Sequence, residues 1–115
     1  MSMLEINKIK RVHFIGIGGI GMSGLARHFL TEKKQVSGSD RELTSNTKQL
    51  AAEGVQIFGE QVADNITEDI ELLVYTEAMS KQHAEMKAAK ALGVPMMNYF
   101  EALGLAMNPY YLIAV

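Results

Sequence analysis

The stretch Val12-His-Phe-Ile-Gly-Ile-Gly-Gly-Ile-Gly-Met-Ser-Gly24 constrains this chain more than any other. Val12 to Ile15 is a short apolar, β-prone run. Gly16-Ile17-Gly18-Gly19-Ile20-Gly21 follows at once, satisfying G-x-G-x-x-G with a fourth glycine inside it. Met22, Leu25, Ala26, Phe29 and Leu30 then recur at helical spacing, so the glycines fall where a strand turns into a helix. A tight turn there needs unusual φ, an anion can approach the backbone only where no Cβ intervenes, and the helix must pack close to its neighbours. The N–H groups and the positive end of the helix dipole favour a phosphate.

The rest of the chain repeats that alternation. Gln35–Ser39 reads as a second strand that delivers Asp40, and Thr44, Ser45 and Asn46 offer caps for a helix that Gly54 closes. Val55–Phe58 alternates as a third strand, Gly59–Asp69 is loop-like, and Leu72-Leu-Val-Tyr75 has the continuous apolar character of a strand buried on both faces. A helix over about Lys81–Leu92, a strand Val94–Met97, a helix opened by Asn98 with Glu101 three residues on, and a last strand Tyr110–Val115 complete the pattern. Residues 1–10 read as a polar lead-in, with Lys8, Lys10 and Arg11 as solvated edge charges.

Strands alternating with helices predict an α/β fold with right-handed crossovers and a mainly parallel sheet of about five strands. A ligand belongs outside the carboxyl ends of those strands, where strand order reverses. That rule gathers Gly16–Gly21, Ser37–Asp40, Gly59–Gln61 and Thr76–Met79 in one place. Length sets the rest: 115 residues make one domain.

Composition excludes more than it selects. A net charge of −2 without a Lys/Arg cluster gives no electrostatic case for nucleic acid. The absence of cysteine removes disulfides and thiolate metal sites, and no apolar run is long enough to span a bilayer. The N-terminal residues lack the form of a signal peptide, which leads to the expectation of a soluble, cytoplasmic protein.

Asp40 stands near the spacing of about 20 residues at which an acid meets ribose hydroxyls in dinucleotide folds; a helix cap is the plainer use. Gly38 would let a nucleoside lie close to the backbone, and Ser37 and Ser39 could reach sugar or base. Glu77 could face the pocket or, repelled by a diphosphate, turn away. His13, His28 and His83 have no metal-ligand spacing and read as structural or surface. No nucleophile–base pair, paired-carboxylate site or Walker A segment occurs, so these residues point to binding without chemistry and do not choose between NAD and another nucleotide diphosphate.

The run VHFIGIGGIGMSGLA followed by VSGSD resembles the amino-terminal domain of the Mur ligases. Ala63-Asp-Asn-Ile66, Val74-Tyr-Thr-Glu-Ala-Met79, and Gly93-Val-Pro ahead of Tyr99-Phe-Glu-Ala-Leu103 extend the likeness over essentially the whole chain. The resemblance implies a Rossmann-like three-layer αβα domain over residues 1–115 that holds the UDP part of UDP-N-acetylmuramate. The parent implied is a three-domain cytoplasmic enzyme of peptidoglycan synthesis. It would use ATP and magnesium to form an acyl phosphate that the amine of L-alanine attacks. Carried over, Gly18, Gly19, Ile20 and Gly21 would bind the diphosphate, Ser39 and Asp40 would address the uridine, and Thr76 and Ala78 would line the diphosphate–sugar side.

Gln61 departs from the family's frequent histidine, and Thr76-Glu77 from its frequent pair of serines. Because a strand like Leu112–Val115 runs into a P-loop in these ligases, the chain reads as an isolated first domain. It is then expected to bind no cofactor or metal itself and to be inactive alone. The alternatives are a sibling ligase that attaches a recycled tripeptide, a stand-alone NAD-binding regulatory domain, and an interaction module without a ligand.

Overall fold

The computed structural model describes residues 3–76 and 82–107. In chain order the elements are α1 (Met3–Lys8), β1 (Arg11–Ile15), α2 (Ile20–Thr31), β2 (Gln35–Ser39), α3 (Ser45–Ala52), β3 (Gln56–Phe58), a 3-10 turn (Ala63–Asn65), β4 (Leu72–Tyr75), α4 (Ala84–Leu92), β5 (Met96–Asn98) and α5 (Tyr99–Met107). The strand expected over Tyr110–Val115 lies outside the described residues.

All five strands run parallel in the order β3-β2-β1-β4-β5. From β1 the chain adds β2 and β3 on one side, then returns to add β4 and β5 on the other. The switch point therefore falls between β1 and β4, at the ends marked by Ile15 and Tyr75.

Period-two alternation divides the central strands between two helical layers. Val12 and Phe14 of β1 and Leu72 and Val74 of β4 join Met22, Leu25, Ala26 and Phe29 of α2, Leu50 of α3 and Ala102 of α5 in one core cluster. Ile15 and Leu73 point the other way, onto Met86 and Ala89 of α4 and Ile66 and Ile70 of the β3–β4 connection. Phe14 and Phe29 are wholly buried, which stabilises the first layer by roughly 1.5–3 kcal/mol per ring. The second layer is thinner, since one 3-10 turn stands where a doubly wound fold has a helix.

Local signals set the element ends. The Thr44 and Thr47 side chains exchange hydrogen bonds with each other's backbone N–H in a capping box at α3. Asn98 and Glu101 do the same at α5, at 2.9 and 3.1 Å. Gly93 closes α4 in the left-handed region.

One reading of the sequence is corrected. Residues 1–10 are no mere polar lead-in: α1 forms, and Ile6 and Ile9, three residues apart, are buried in the core beside α5. Beside it, the Lys34 ammonium is buried and donates to the carbonyls of Ile6 and Ile9 at 3.0 and 2.6 Å. It satisfies the carbonyl end of α1.

Candidate functional site

The glycine turn begins with Gly16 at φ 80°, a left-handed conformation that costs glycine least. That twist aims the N–H groups of Gly16 and Ile17 together at the Ser39 carbonyl, 2.8 and 3.0 Å away, and so seats the turn on the end of β2. Ile17 then folds over Gly38. A Cβ on Gly38 would stand 2.4 Å from Ile17 Cδ1, so the space above Gly38 belongs to Ile17 and not to a nucleoside, as the sequence had suggested.

Gly18 is held from both sides. Its N–H donates to Asp40 Oδ2 at 2.8 Å, and its carbonyl accepts from Asn46 Nδ2 at 3.0 Å. Asn46 also donates to Ser23 Oγ at 2.9 Å and accepts from Arg27 at 3.1 Å, binding the turn to α2 and α3 together. A side chain at Gly18 would displace Asp40, since a Cβ would lie 2.7 Å from Asp40 Oδ2 and 3.1 Å from Thr47 Cγ2. The role of Asn46 is not legible in the sequence, where Thr44, Ser45 and Asn46 are equally good caps. The structure gives the cap to Thr44 and leaves Asn46 for the turn.

Gly19 is the N-cap of α2 and supplies no side chain; its own N–H turns back to Gly16 O at 3.3 Å. The first bond of the helix runs from Ser23 N–H to Gly19 O. The N–H groups of Ile20, Gly21 and Met22 thus emerge from the helix end without an acceptor among the described residues. Ile20, 92% exposed, and Gly21 lie at the surface of this end, whereas Met22 is buried. Gly21 serves packing: a Cβ there would meet the Tyr99 ring at 2.8 Å, which places the start of α5 directly against the start of α2.

Asp40 is half-buried, and its second oxygen accepts from Glu42 N–H at 3.2 Å. With one hydrogen bond on each oxygen, the carboxylate keeps lone pairs for further donors. Ser39 is fully buried, and its hydroxyl accepts from Gln61 Nε2 at 3.3 Å, so Gln61 covers it. Thr76 is half-buried at the end of β4; Glu77 and Ala78 lie outside the described residues. The structure therefore brings three of the four expected loops together through the Gly18–Asp40 and Ser39–Gln61 bonds.

This arrangement offers three outward amides at a helix end and a carboxylate beside them, which suits an anion joined to a polyhydroxy group. Among the described residues there is no group of three side chains able to hold a metal ion, and no helix long and apolar enough to cross a membrane. No Walker A segment occurs in the sequence, and no ligation step is assigned to the described residues. Two open cavities lie elsewhere. One of about 460 Å³ rests on Gln35, Ser37, Gln56 and Phe58, and one of about 700 Å³ lies among Lys8, Lys10, Lys33 and Glu71. Neither touches the free amides.

A five-stranded parallel sheet with a glycine turn opening a helix at its switch point defines a Rossmann-like α/β domain. The chain belongs to the Mur ligase family: the model described as "Mur ligase family, catalytic domain" matches residues 11–111. It is 47% identical over its whole length to a UDP-N-acetylmuramate–L-alanine ligase of Agathobacter rectalis, of which it covers 25%. Among solved structures, the UDP-N-acetylmuramate–alanine ligase of Thermotoga maritima superposes with a TM-score of 0.78 at 36% identity, over 82% of this chain and 22% of that one. The UDP-N-acetylmuramate:L-alanyl-γ-D-glutamyl-meso-diaminopimelate ligase of Neisseria meningitides gives the same TM-score at 27% identity, over 86% and 31%. The chain spans about a quarter of the length of the curated relatives it matches.

Proposed function

We propose that this chain is the UDP-binding amino-terminal domain of a cytoplasmic UDP-N-acetylmuramate–L-alanine ligase, with ATP, magnesium and L-alanine handled by further domains. The observation that carries the reading is the helix end of α2, where the amides of Ile20, Gly21 and Met22 have no acceptor among the described residues and Asp40 holds the nearby Gly18. In this reading they take the diphosphate, with the positive end of the helix dipole behind them. Gly18 and Gly19 act by lacking side chains, since their own N–H groups are engaged within the domain. Asp40 accepts from the ribose, Ser39 acts through Gln61 at the uridine, and Thr76 and Ala78 line the sugar side.

Identity of 36% to the alanine ligase structure against 27% to the tripeptide-adding one favours the first. Both use a UDP-muramoyl group by their names, so the site serves either. Calorimetry of this chain with UDP-N-acetylmuramate, UDP and NAD tests the reading. Binding of the two uridine compounds with silence toward NAD is the expected result. NAD binding without a response to the UDP-sugar refutes it, and silence toward all three favours an interaction module.

A further inference from the structure

One polar cluster lies outside the glycine turn. His13 of β1 and Glu85 of α4 are both 0% exposed, and Nε2 of the first meets Oε1 of the second at 2.6 Å. His13 Nδ1 lies 2.8 Å from Ser37 Oγ on β2. The other oxygen of Glu85 accepts from Asn65 Nδ2 at 3.4 Å, and the same Asn65 amide donates to Glu60 O at 2.6 Å. Four segments meet there: β1, β2, the start of α4, and the connection after β3 that carries Gln61. The Ser-His-Glu order suggests a nucleophile, but Ser37 sits in the middle of β2, paired with His13 of β1 and Gln56 of β3, and ladder amides are not free to stabilise an oxyanion.

A different observation sets the role. The neighbours on this layer are Ile15, Leu73 and Met86, so an apolar pair would fill the space. Replacing a buried polar pair by well-packed apolar residues is often neutral or stabilising, and in some systems such a pair instead fixes geometry. We propose that His13 and Glu85 are positioning residues: through Asn65 they latch the 59–66 connection to the sheet, and so hold Gln61 at Ser39 on the uridine side of the site. This rests on the UDP-binding reading above. The latch adds a polar tie to the apolar anchor that Ile66 and Ile70 give this connection on the second layer.

The test compares the wild-type chain, a His13→Leu/Glu85→Met double variant of similar side-chain size, and Glu85→Gln. Each is measured by thermal melting, by calorimetry with UDP-N-acetylmuramate, and by hydrogen exchange across 59–66 without ligand. The double variant is expected to melt no lower than wild type, exchange faster across 59–66, and bind about tenfold more weakly, the equivalent of one net hydrogen bond. Glu85→Gln keeps an acceptor for His13 but sets an NH₂ against the Asn65 NH₂, so it shifts exchange and affinity the same way by less; it decides alone if the double variant does not fold. Wild-type affinity in a folded variant, or unchanged exchange across 59–66, overturns the latch. A wild-type chain silent toward UDP-N-acetylmuramate instead overturns the binding reading, and the exchange data still judge the latch.

Discussion

The Asp40 carboxylate accepts the Gly18 N–H at 2.8 Å, tying the end of β2 to the turn that follows β1. The residue best placed to meet a ribose is therefore also an anchor of the glycine turn, and the two roles separate by substitution. Asp40→Ala leaves the Gly18 N–H without its partner and costs about 1–2 kcal/mol, since the bond is charge-assisted but part-exposed. Asp40→Asn keeps an oxygen for Gly18 and costs about 0.5 kcal/mol or less. Urea denaturation at constant m-value reads both. Equal losses in the two variants would show that the bond does not hold the turn.

The strand–turn–helix corner, the parallel sheet and the carboxylate at the end of β2 were all legible from glycine spacing and alternation, because local chemistry decides them. Val12–Ile15 and Gln35–Ser39 fall where hydrophobic pattern puts them, and Asp40 faces the turn. What the sequence hid depends on partners far away in the chain. Gly38 looked open until Ile17, 21 positions earlier in the numbering of this chain, folded over it. Asn46 looked like one more cap, and Ile6 and Ile9 were too few to outweigh the polar residues around them. His13 read as structural or surface; it is buried, and its link to Glu85, 72 residues away, leaves no local pattern.

Gly21 illustrates how a motif position can serve packing. Alanine exceeds glycine in helix propensity by up to about 1 kcal/mol, so Gly21→Ala would ordinarily stabilise the first turn of α2. Here the added Cβ meets the Tyr99 ring at 2.8 Å, and the overlap is expected to reverse the sign, with a net loss of about 1 kcal/mol. In a Tyr99→Ala background the same substitution stabilises. A double-mutant cycle measured by thermal unfolding reads that reversal. Additive effects would remove the contact between α2 and α5 as the reason for glycine.

Asn46 acts through direction as well as through bonding. Its amide group donates to Gly18 O and Ser23 Oγ, and its carbonyl oxygen accepts from Arg27. Asn46→Ala is expected to cost about 1–2 kcal/mol in a part-buried setting. Asn46→Asp is the sharper test. An acid in the first turn of α3 would by itself gain about 0.3–1 kcal/mol from the helix dipole. It also turns a donor into a carboxylate facing the Gly18 carbonyl, so a net loss is expected. Chemical denaturation that finds Asn46→Asp as stable as wild type would mean that the turn does not depend on this amide.

At the opposite end of the central strands, where Arg11 opens β1, Asp69 is a source of pH dependence. Asp69 accepts a hydrogen bond from the Thr67 hydroxyl and pairs with Arg11 at 2.6 Å. The Thr67 bond first, and then the Arg11 charge, hold the Asp69 carboxyl below the usual range. A carboxyl whose folded pKa is depressed binds its proton more readily in the unfolded chain. Its contribution is therefore complete above the unfolded value of about 3.9 and disappears as pH falls through the folded value. Stability is expected to fall below about pH 4 with part of that slope removed in Asp69→Asn, while the two proteins converge toward acid. Salt should weaken the Arg11 share and leave the Thr67 share, because only the former is Coulombic across solvent. Thermal melts from pH 2 to about pH 6 at two salt concentrations measure both effects, and parallel curves for wild type and Asp69→Asn would exclude Asp69 as a source of the acid limb.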